Sequence, residues 1–441
     1  MNHINSVAVI GAGVMGAGIA AHIANAGVPV LLLDVVPKDN DNRNAIAETV
    51  IGKLIKSDPP ALMQQSAARL ITPGNIEDHL SRLSDVDWVI EAVIENPVIK
   101  QSLYRKLEQV CRSDAVISSN TSTLPLALLC KNMPDSFKQR FLISHFFNPP
   151  RYMRLLELVA GSDTRPEALQ TINTFADLRL GKGCVSCHDT PGFIANRIGT
   201  FWIQSGLLQA IALQQPIEHA DAVMTLFGIP KTGVFGLLDL VGLDLIPHIL
   251  GGFKQMLPPQ DSFHAINTLP VLMQQMIADG YTGRKGKGGF YRLQKRDDGK
   301  RIKEAIDLHT GAYRLSEKVK LTVPNQNYQE LLSQDTVNSR YAWQVMSQTL
   351  VYSARLVPEI ADNIDAIDTA MRLGYNWTYG PFELLDLLGV DWFVQRLAAE
   401  QRLIPQLLAN RQRFYKTQDG KRCYVDVHSR YTPCPRAAGT L

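Results

Sequence analysis

The chain has 441 residues, 45% hydrophobic and 20% charged, the balance of an ordinary globular protein with room for two to four domains. Its formal net charge of +3, with Lys and Arg scattered, gives no basic patch for nucleic acid and only a mild bias toward anionic ligands. Residues 1–6 run straight into a strand pattern without a secretory signal, and no apolar run reaches the length of a membrane span, so a cytoplasmic protein is expected.

In chain order, short apolar runs at 6–10, 30–34, 88–92, 116–120, 141–145 and 155–159 read as strands. Helical patterns at 16–25 and 99–111 lie between them. Near-continuous apolar strands alternating with helices predict a doubly wound α/β domain built on a parallel sheet, over 1–187. Pro191, behind Thr190 as a cap, predicts the start of a helical domain over 188–293. A Gly- and Lys-rich stretch from Gly283 to Tyr291 closes it. Residues 294–335 read as a mostly polar connector, 336–410 as a second helical domain, and 411–441 as a tail without clear structure.

The second helical domain repeats the first. Asp221-Ala222-Val223-Met224 recurs as Asp368-Thr369-Ala370-Met371. The segment from Gly233 to Asp244 recurs from Gly380 to Asp391 at the same offset of 147 positions, ungapped. Of the six cysteines, only Cys184 and Cys187 form a Cys-x-x-Cys pair. Without a second pair at zinc spacing they read as two thiols at the end of a strand, and no metal is expected.

The strand ends carry the chemistry. The first strand feeds Gly11-Ala12-Gly13-Val14-Met15-Gly16, which opens an Ala-rich helix, and the second strand ends in Asp34. Alone, G-x-G-x-x-G is a weak signal. In this strand–turn–helix setting Gly11 supplies the turn, Gly13 lets a pyrophosphate approach, and Gly16 lets helix and strand pack. The acidic end of the second strand suits ribose hydroxyls and repels a 2′-phosphate, which favours NAD over NADP. Later strands deliver Glu91 to Pro97, Ser118 to Ser122 and His145 to Pro149 to the same sheet edge. By itself His145 reads more simply as a hydrogen-bonded structural residue, and Ser122 as a turn residue. Glu157, however, sits inside an apolar strand and needs a partner; paired with His145 it forms an oriented general base.

Together these residues resemble the 3-hydroxyacyl-CoA dehydrogenase family. Ser119-Asn120-Thr121-Ser122, His145-Phe146-Phe147-Asn148-Pro149, Leu156-Glu157 and the stretch from Asp189 to Arg197 follow in family order, and Gly380 to Asp386 is a further family segment. The resemblance runs from Val7 to about Leu397. It is strongest to bacterial fatty-acid β-oxidation proteins with a duplicated C-terminal helical domain. It implies oxidation of L-3-hydroxyacyl-CoA to the 3-ketone with NAD as hydride acceptor. In that implied scheme His145 is the base, Glu157 orients it, and Ser122 and Asn196 bond the substrate oxygens. Asp34, Glu95, Lys100, Ser122, Asn148 and Lys285 correspond to NAD contacts, and Lys53 to a place near CoA. By the 147-residue offset Asn196 falls on Trp343, so the second copy reads as structural.

The hydratase module of such relatives is expected to be absent from this chain. The implied partners are the acyl-CoA and other β-oxidation enzymes. The expected state is a monomer in which copy two packs on copy one as an internal pseudo-dimer, covering Leu384, Leu385, Leu387 and Leu388. Two other readings stay open: a dehydrogenase of another hydroxyacid on the same scaffold, and a non-catalytic NAD-binding protein.

Overall fold

The computed structural model describes residues 3–295, 299–409, 411–426 and 429–435. The chain divides into two compact units, one reaching to Phe193 and one from Ile194 to Cys434.

The first unit is an eight-stranded sheet: β1 (Val7–Ile10), β2 (Val30–Asp34), β3 (Ile71–Asn75), β4 (Trp88–Glu91), β5 (Val116–Ser119), β6 (Phe141–Phe146), β7 (Leu155–Ala160) and β8 (Gly183–Cys187), in the spatial order β3-β2-β1-β4-β5-β6-β7-β8. Helices α1 (Val14–Asn25), α2 (Ala45–Ile55), α3 (Pro97–Val110) and α6 (Pro166–Leu180) connect the strands, with single turns α4 (Leu126–Leu129) and α5 (Asp135–Lys138) between. All six expected strands form. Their apolar side chains are covered on both faces, as a doubly wound fold requires.

Two features depart from the expectation. The sheet is not all parallel: β7 runs antiparallel to β6, and β8 parallel to β7. Strand β3 went unseen because its sequence, Ile-Thr-Pro-Gly-Asn, holds one large apolar residue; pairing with β2 makes it a strand. The reversal at β7 matters for chemistry, because it sets His145 directly opposite Glu157 in register. A side-by-side cross-strand pair is the shortest way to bring two side chains together on one face.

The second unit holds both helical copies. In the first are α7 (Ala195–Ala212), α8 (Ile217–Thr225), α9 (Phe235–Val241), α10 (Ile246–Met256) and α11 (Val271–Ala278). In the second are α12 (Tyr328–Ser333), α13 (Val337–Arg355), α14 (Ile364–Gly374), α15 (Pro381–Leu388) and α16 (Val390–Ala399). Helix α7 starts at Ala195, four residues after Pro191, so Pro191 and Thr190 lie in the preceding turns instead of capping the helix. Among the described residues no single helix is long and apolar enough to cross a membrane.

Neither copy is purely helical, which corrects the reading of the connector and tail. A three-stranded antiparallel sheet follows the first copy's helices: β9 (Tyr291–Lys295), β10 (Arg301–Ile306) and β11 (Tyr313–Leu315). A second one follows the other copy: β12 (Tyr415–Gln418), β13 (Lys421–Val425) and β14 (Tyr431–Pro433). Of the stretches read as connector and tail, positions 296–298, 427, 428 and 436–441 lie outside the described residues. The leading strands β9 and β12 are polar and mostly exposed, and β10 and β13 bury only their last residues, so they carry little apolar alternation for a sequence reading to find.

The copies pack on each other along α7 and α13. A Cβ at Gly199 of α7 would lie 2.0 Å from the Tyr375 ring, so only glycine fits there. Arg197 Nε donates to the Tyr352 hydroxyl at 2.6 Å, Ser205 Oγ to Gln348 at 3.2 Å, and Gln215 Nε2 to Asn338 at 2.7 Å. The two copies thus pack against each other inside one unit. Leu384, Leu385 and Leu388 are fully buried, whereas Leu387 is 42% exposed.

Candidate active site

The glycine turn in the first unit follows from close approach. Gly11 has φ 105°, and a Cβ there would meet the Ala92 carbonyl at 2.5 Å. One at Gly16 would meet the Gly11 carbonyl at 1.8 Å, which is why α1 can leave β1 so tightly. Nothing lies within 4 Å of the same position on Gly13, so the turn is open where a pyrophosphate needs backbone approach. No side chain caps the α1 N-terminus, and Val14 is 75% exposed. At the end of β2 the Asp34 carboxylate accepts from Ala12 N–H at 2.5 Å and Val35 N–H at 2.7 Å, which fixes it beside the turn. Ala12 and Met15 pack inward beneath the loop. The residues present therefore fit a dinucleotide.

The next strand ends are held by buried charge. Glu91, fully buried, accepts from Lys100 Nζ at 2.6 Å, Tyr104 Oη at 2.5 Å and Ser119 Oγ at 2.7 Å. Lys100, 1% exposed, also reaches Glu95 at 3.3 Å. Glu95 in turn accepts from Thr121 Oγ1, from Thr123 Oγ1 at 2.9 Å and from Ser122 N–H at 3.3 Å. Burial works to raise the Glu95 carboxyl, but the Lys100 ammonium and the two threonine hydroxyls outweigh it and hold it below the ordinary range. The ammonium of Lys100 thus bonds to two carboxylates within the protein. Ser122 is half-buried, and its hydroxyl has no hydrogen bond among the described residues. Sequence reasoning brought Glu91 and Thr121 to this edge without giving them a role, and missed Tyr104 and Thr123. Their signal was present, since a Glu closing a strand needs a partner, but it did not say which residues would supply one.

His145 lies at the end of β6, 6% exposed, and its Nδ1 is 2.8 Å from Glu157 Oε2 on β7. Phe147 and Phe193 flank the ring at centroid distances of 4.6 and 5.5 Å. With Nδ1–H donated to the carboxylate, Nε2 keeps its lone pair and can take a proton. Asn120 secures the strand end by accepting from Phe146 N–H at 2.9 Å. Asn148 follows in an exposed loop, and Lys53 is exposed on α2.

Asn196 and Lys285 belong to the second unit. Asn196 is half-buried in the first turn of α7, and Lys285 is exposed in the Gly283–Gly288 turn. The counterpart of Asn196 is filled. Trp343, 2% exposed, donates Nε1–H to Glu400 at 2.6 Å and lies under the Arg396 guanidinium, 4.0 Å from the ring centre.

The first unit is a doubly wound dinucleotide-binding domain with an oriented histidine at the ligand edge of its sheet. The chain belongs to the 3-hydroxyacyl-CoA dehydrogenase family: the family's NAD binding domain matches residues 6–190, and its C-terminal domain matches twice, at 192–293 and 341–416. A putative fatty acid oxidation complex trifunctional enzyme of Rickettsia felis is 43% identical over 93% of this chain and 57% of its own length. A probable 3-hydroxyacyl-CoA dehydrogenase of Deinococcus radiodurans is 41% identical over 66% of this chain and 84% of its own. The crystal structure of 3-hydroxybutyryl-CoA dehydrogenase from Escherichia coli K12 shares the fold, with a TM-score of 0.66 at 22% identity over 92% of this chain and 98% of that one. The chain spans little more than half the length of several curated relatives it matches.

Proposed function

We propose that this chain is an NAD-dependent L-3-hydroxyacyl-CoA dehydrogenase of fatty-acid β-oxidation. The observation that carries the reading is the buried His145–Glu157 pair at 2.8 Å on the ligand edge of an NAD-binding sheet. Gly11, Ala12, Gly13, Val14, Met15 and Gly16 would hold the pyrophosphate at the α1 N-terminus, Asp34 the ribose, and Glu95, Ser122, Asn148 and Lys285 the remainder. Lys100 works through Glu95. When bound, NAD supplies the hydride acceptor. His145 takes the proton of the 3-hydroxyl on Nε2, and Glu157 stabilises the imidazolium that results. Ser122 and Asn196 donate to the substrate oxygens and hold them for reaction. Lys53 would meet the CoA portion.

The same reading makes the protein a cytoplasmic monomer working beside other β-oxidation enzymes. The covered seam between α7 and α13 supports the monomer, and light scattering behind size exclusion tests it. The decisive assay is NADH formation from 3-hydroxyacyl-CoAs of several chain lengths. His145→Gln should lower kcat by about 10²–10⁴-fold with far less change in KM. A near-normal kcat in that variant, or a parent that oxidises other hydroxyacids in place of CoA esters, would overturn the reading. NAD should be preferred to NADP, with Asp34→Ala narrowing the preference by weakening NAD.

A further inference from the structure

The loop 147–154 leaves β6 just after His145, carries Asn148, and returns as β7 to Glu157. What holds it is Lys182. Helix α6 ends on Gly181 at φ 63°, whose N–H bonds to the Asp177 carbonyl, while Lys182 N–H reaches back to the Ala176 carbonyl at 2.9 Å. This left-handed ending turns the Lys182 side chain inward. There it is 2% exposed, and its ammonium donates to the carbonyls of Pro150 and Met153, the latter at 2.6 Å, and sits 5.6 Å from the Phe146 ring centre. The loop is fastened from two further sides. Pro150 lies so close to α1 that a Cβ at Gly18 would come within 2.8 Å of its ring, and Arg151 donates to the Pro60 carbonyl at 2.6 Å.

Both hydrogen-bond partners of the Lys182 ammonium are backbone carbonyls, and no carboxylate bonds to it among the described residues. A desolvated ammonium whose partners are two carbonyls and a ring face is a cost to folding. An apolar side chain would avoid that cost but leave the two carbonyls without a donor. The charge does one thing that an apolar residue cannot, which is to fix two loop carbonyls on either side of the turn behind Asn148.

We propose that Lys182 is a positioning residue for the cofactor: its ammonium sets the 147–154 loop, and through it Asn148, in the arrangement that binds NAD. The proposal rests on the reading of Asn148 as an NAD contact. Burial draws the Lys182 ammonium down to about 8, within the range of an ordinary titration. The charged and titratable groups around it are His22 of α1, Arg151 of the loop and Cys184 of β8, with Asp177 of α6 beyond Cys184. Burial, aided by Lys182, holds His22 down to about 3, and burial pushes Cys184 up to about 12, so neither changes charge between pH 6.5 and 9.5.

The test is NADH binding to the full chain, followed by fluorescence at pH 6.5 and pH 9.5. The parent should bind about tenfold more weakly at the higher pH, the effect of losing the charge assistance in two hydrogen bonds. Lys182→Met should bind about tenfold more weakly already at pH 6.5, with no further loss at 9.5. In an Asn148→Ala background the effect of Lys182→Met should vanish. A parent with pH-independent affinity overturns the proposal without any variant. So does a Lys182→Met protein that binds NADH normally or loses only thermal stability. If Asn148→Ala binds as the parent does, the reading of Asn148 fails first and the proposal falls with it.

Discussion

In the first helical copy Asp221 accepts from Phe235 N–H at 2.9 Å, from Gly236 N–H at 3.2 Å and from the Tyr291 hydroxyl at 2.8 Å. In the second, Asp368 accepts from Phe382 N–H, Glu383 N–H and the Tyr415 hydroxyl at 2.8, 3.0 and 2.9 Å. A second aspartate repeats the joint: Asp239 binds the N–H groups of Phe290 and Tyr291, and Asp386 those of Phe414 and Tyr415. Each pair clamps a helix start to the first strand of the small sheet. From Asp239 to Phe290 the first copy takes 51 positions, and from Asp386 to Phe414 the second takes 28, so the same joint forms across connections of different length. At the position of Asn196, by contrast, the second copy places the buried indole of Trp343. What duplication kept is the scaffold of satisfied buried polar groups, each costly to break alone. What it does not repeat is the half-buried polar side chain of Asn196.

That contrast can be broken in graded steps. Trp343→Ala should cost about 3–5 kcal/mol of stability, since it empties a packed indole site, while leaving kcat unchanged wherever the protein stays folded. A fall in kcat in step with Asn196→Ala would give the second copy a role in chemistry. Asn196→Ala should behave the opposite way, with kcat/KM down about 10–100-fold and the unfolding midpoint hardly moved. Equal kcat/KM in variant and parent would remove Asn196 from the substrate site.

Tyr291→Phe and Tyr415→Phe probe what the copies share. Each strands one buried carboxylate lone pair, at about 1–3 kcal/mol, and the two losses in chemical denaturation should agree closely. A loss in one copy alone would mean that the joints are equivalent in geometry only.

The smallest effect separates the joints by pH. Burial pushes Asp221 up to about 7 and Asp239 up to about 6. A carboxyl raised in the folded state binds its proton more tightly there than when unfolded. Its contribution is therefore largest below the ordinary carboxylate range and is lost as pH rises toward the folded value. His22, held by burial at about 3, acts oppositely, destabilising as pH falls below 6.5, so the parent's own curve mixes the two. The difference between parent and Asp221→Asn isolates one of them: the variant should gain on the parent as pH rises from 5 to 8. For Asp368→Asn the gain should likewise begin as pH rises through the ordinary carboxylate range. There burial is joined by repulsion from Glu383, whose counterpart in the first copy is Gly236. A pH-independent offset for either variant would show that its aspartate stays ionised throughout.

Much of the site could be read from residues that have few uses other than the one they serve. The spacing of Gly11, Gly13 and Gly16 and the acid at Asp34 report backbone approach directly, and the Glu157 carboxylate inside Leu-Leu-Glu-Leu-Val demanded a partner wherever it lay. The repeat at an offset of 147 announced the second copy. Those signals are local or periodic, and a sequence states them by itself. Tertiary structure alone decided the rest. Strand β3 exists because β2 offers it a ladder, and β9 to β14 because Asp239 and Asp386 fasten their first strands. The antiparallel turn into β7 chose His145 as the partner of Glu157, and the left-handed end of α6 aimed Lys182 at a loop about 30 residues earlier in the chain. None of these pairings has a preferred spacing in sequence. Each is set by which groups are left without water when the chain folds, and that depends on every element around them.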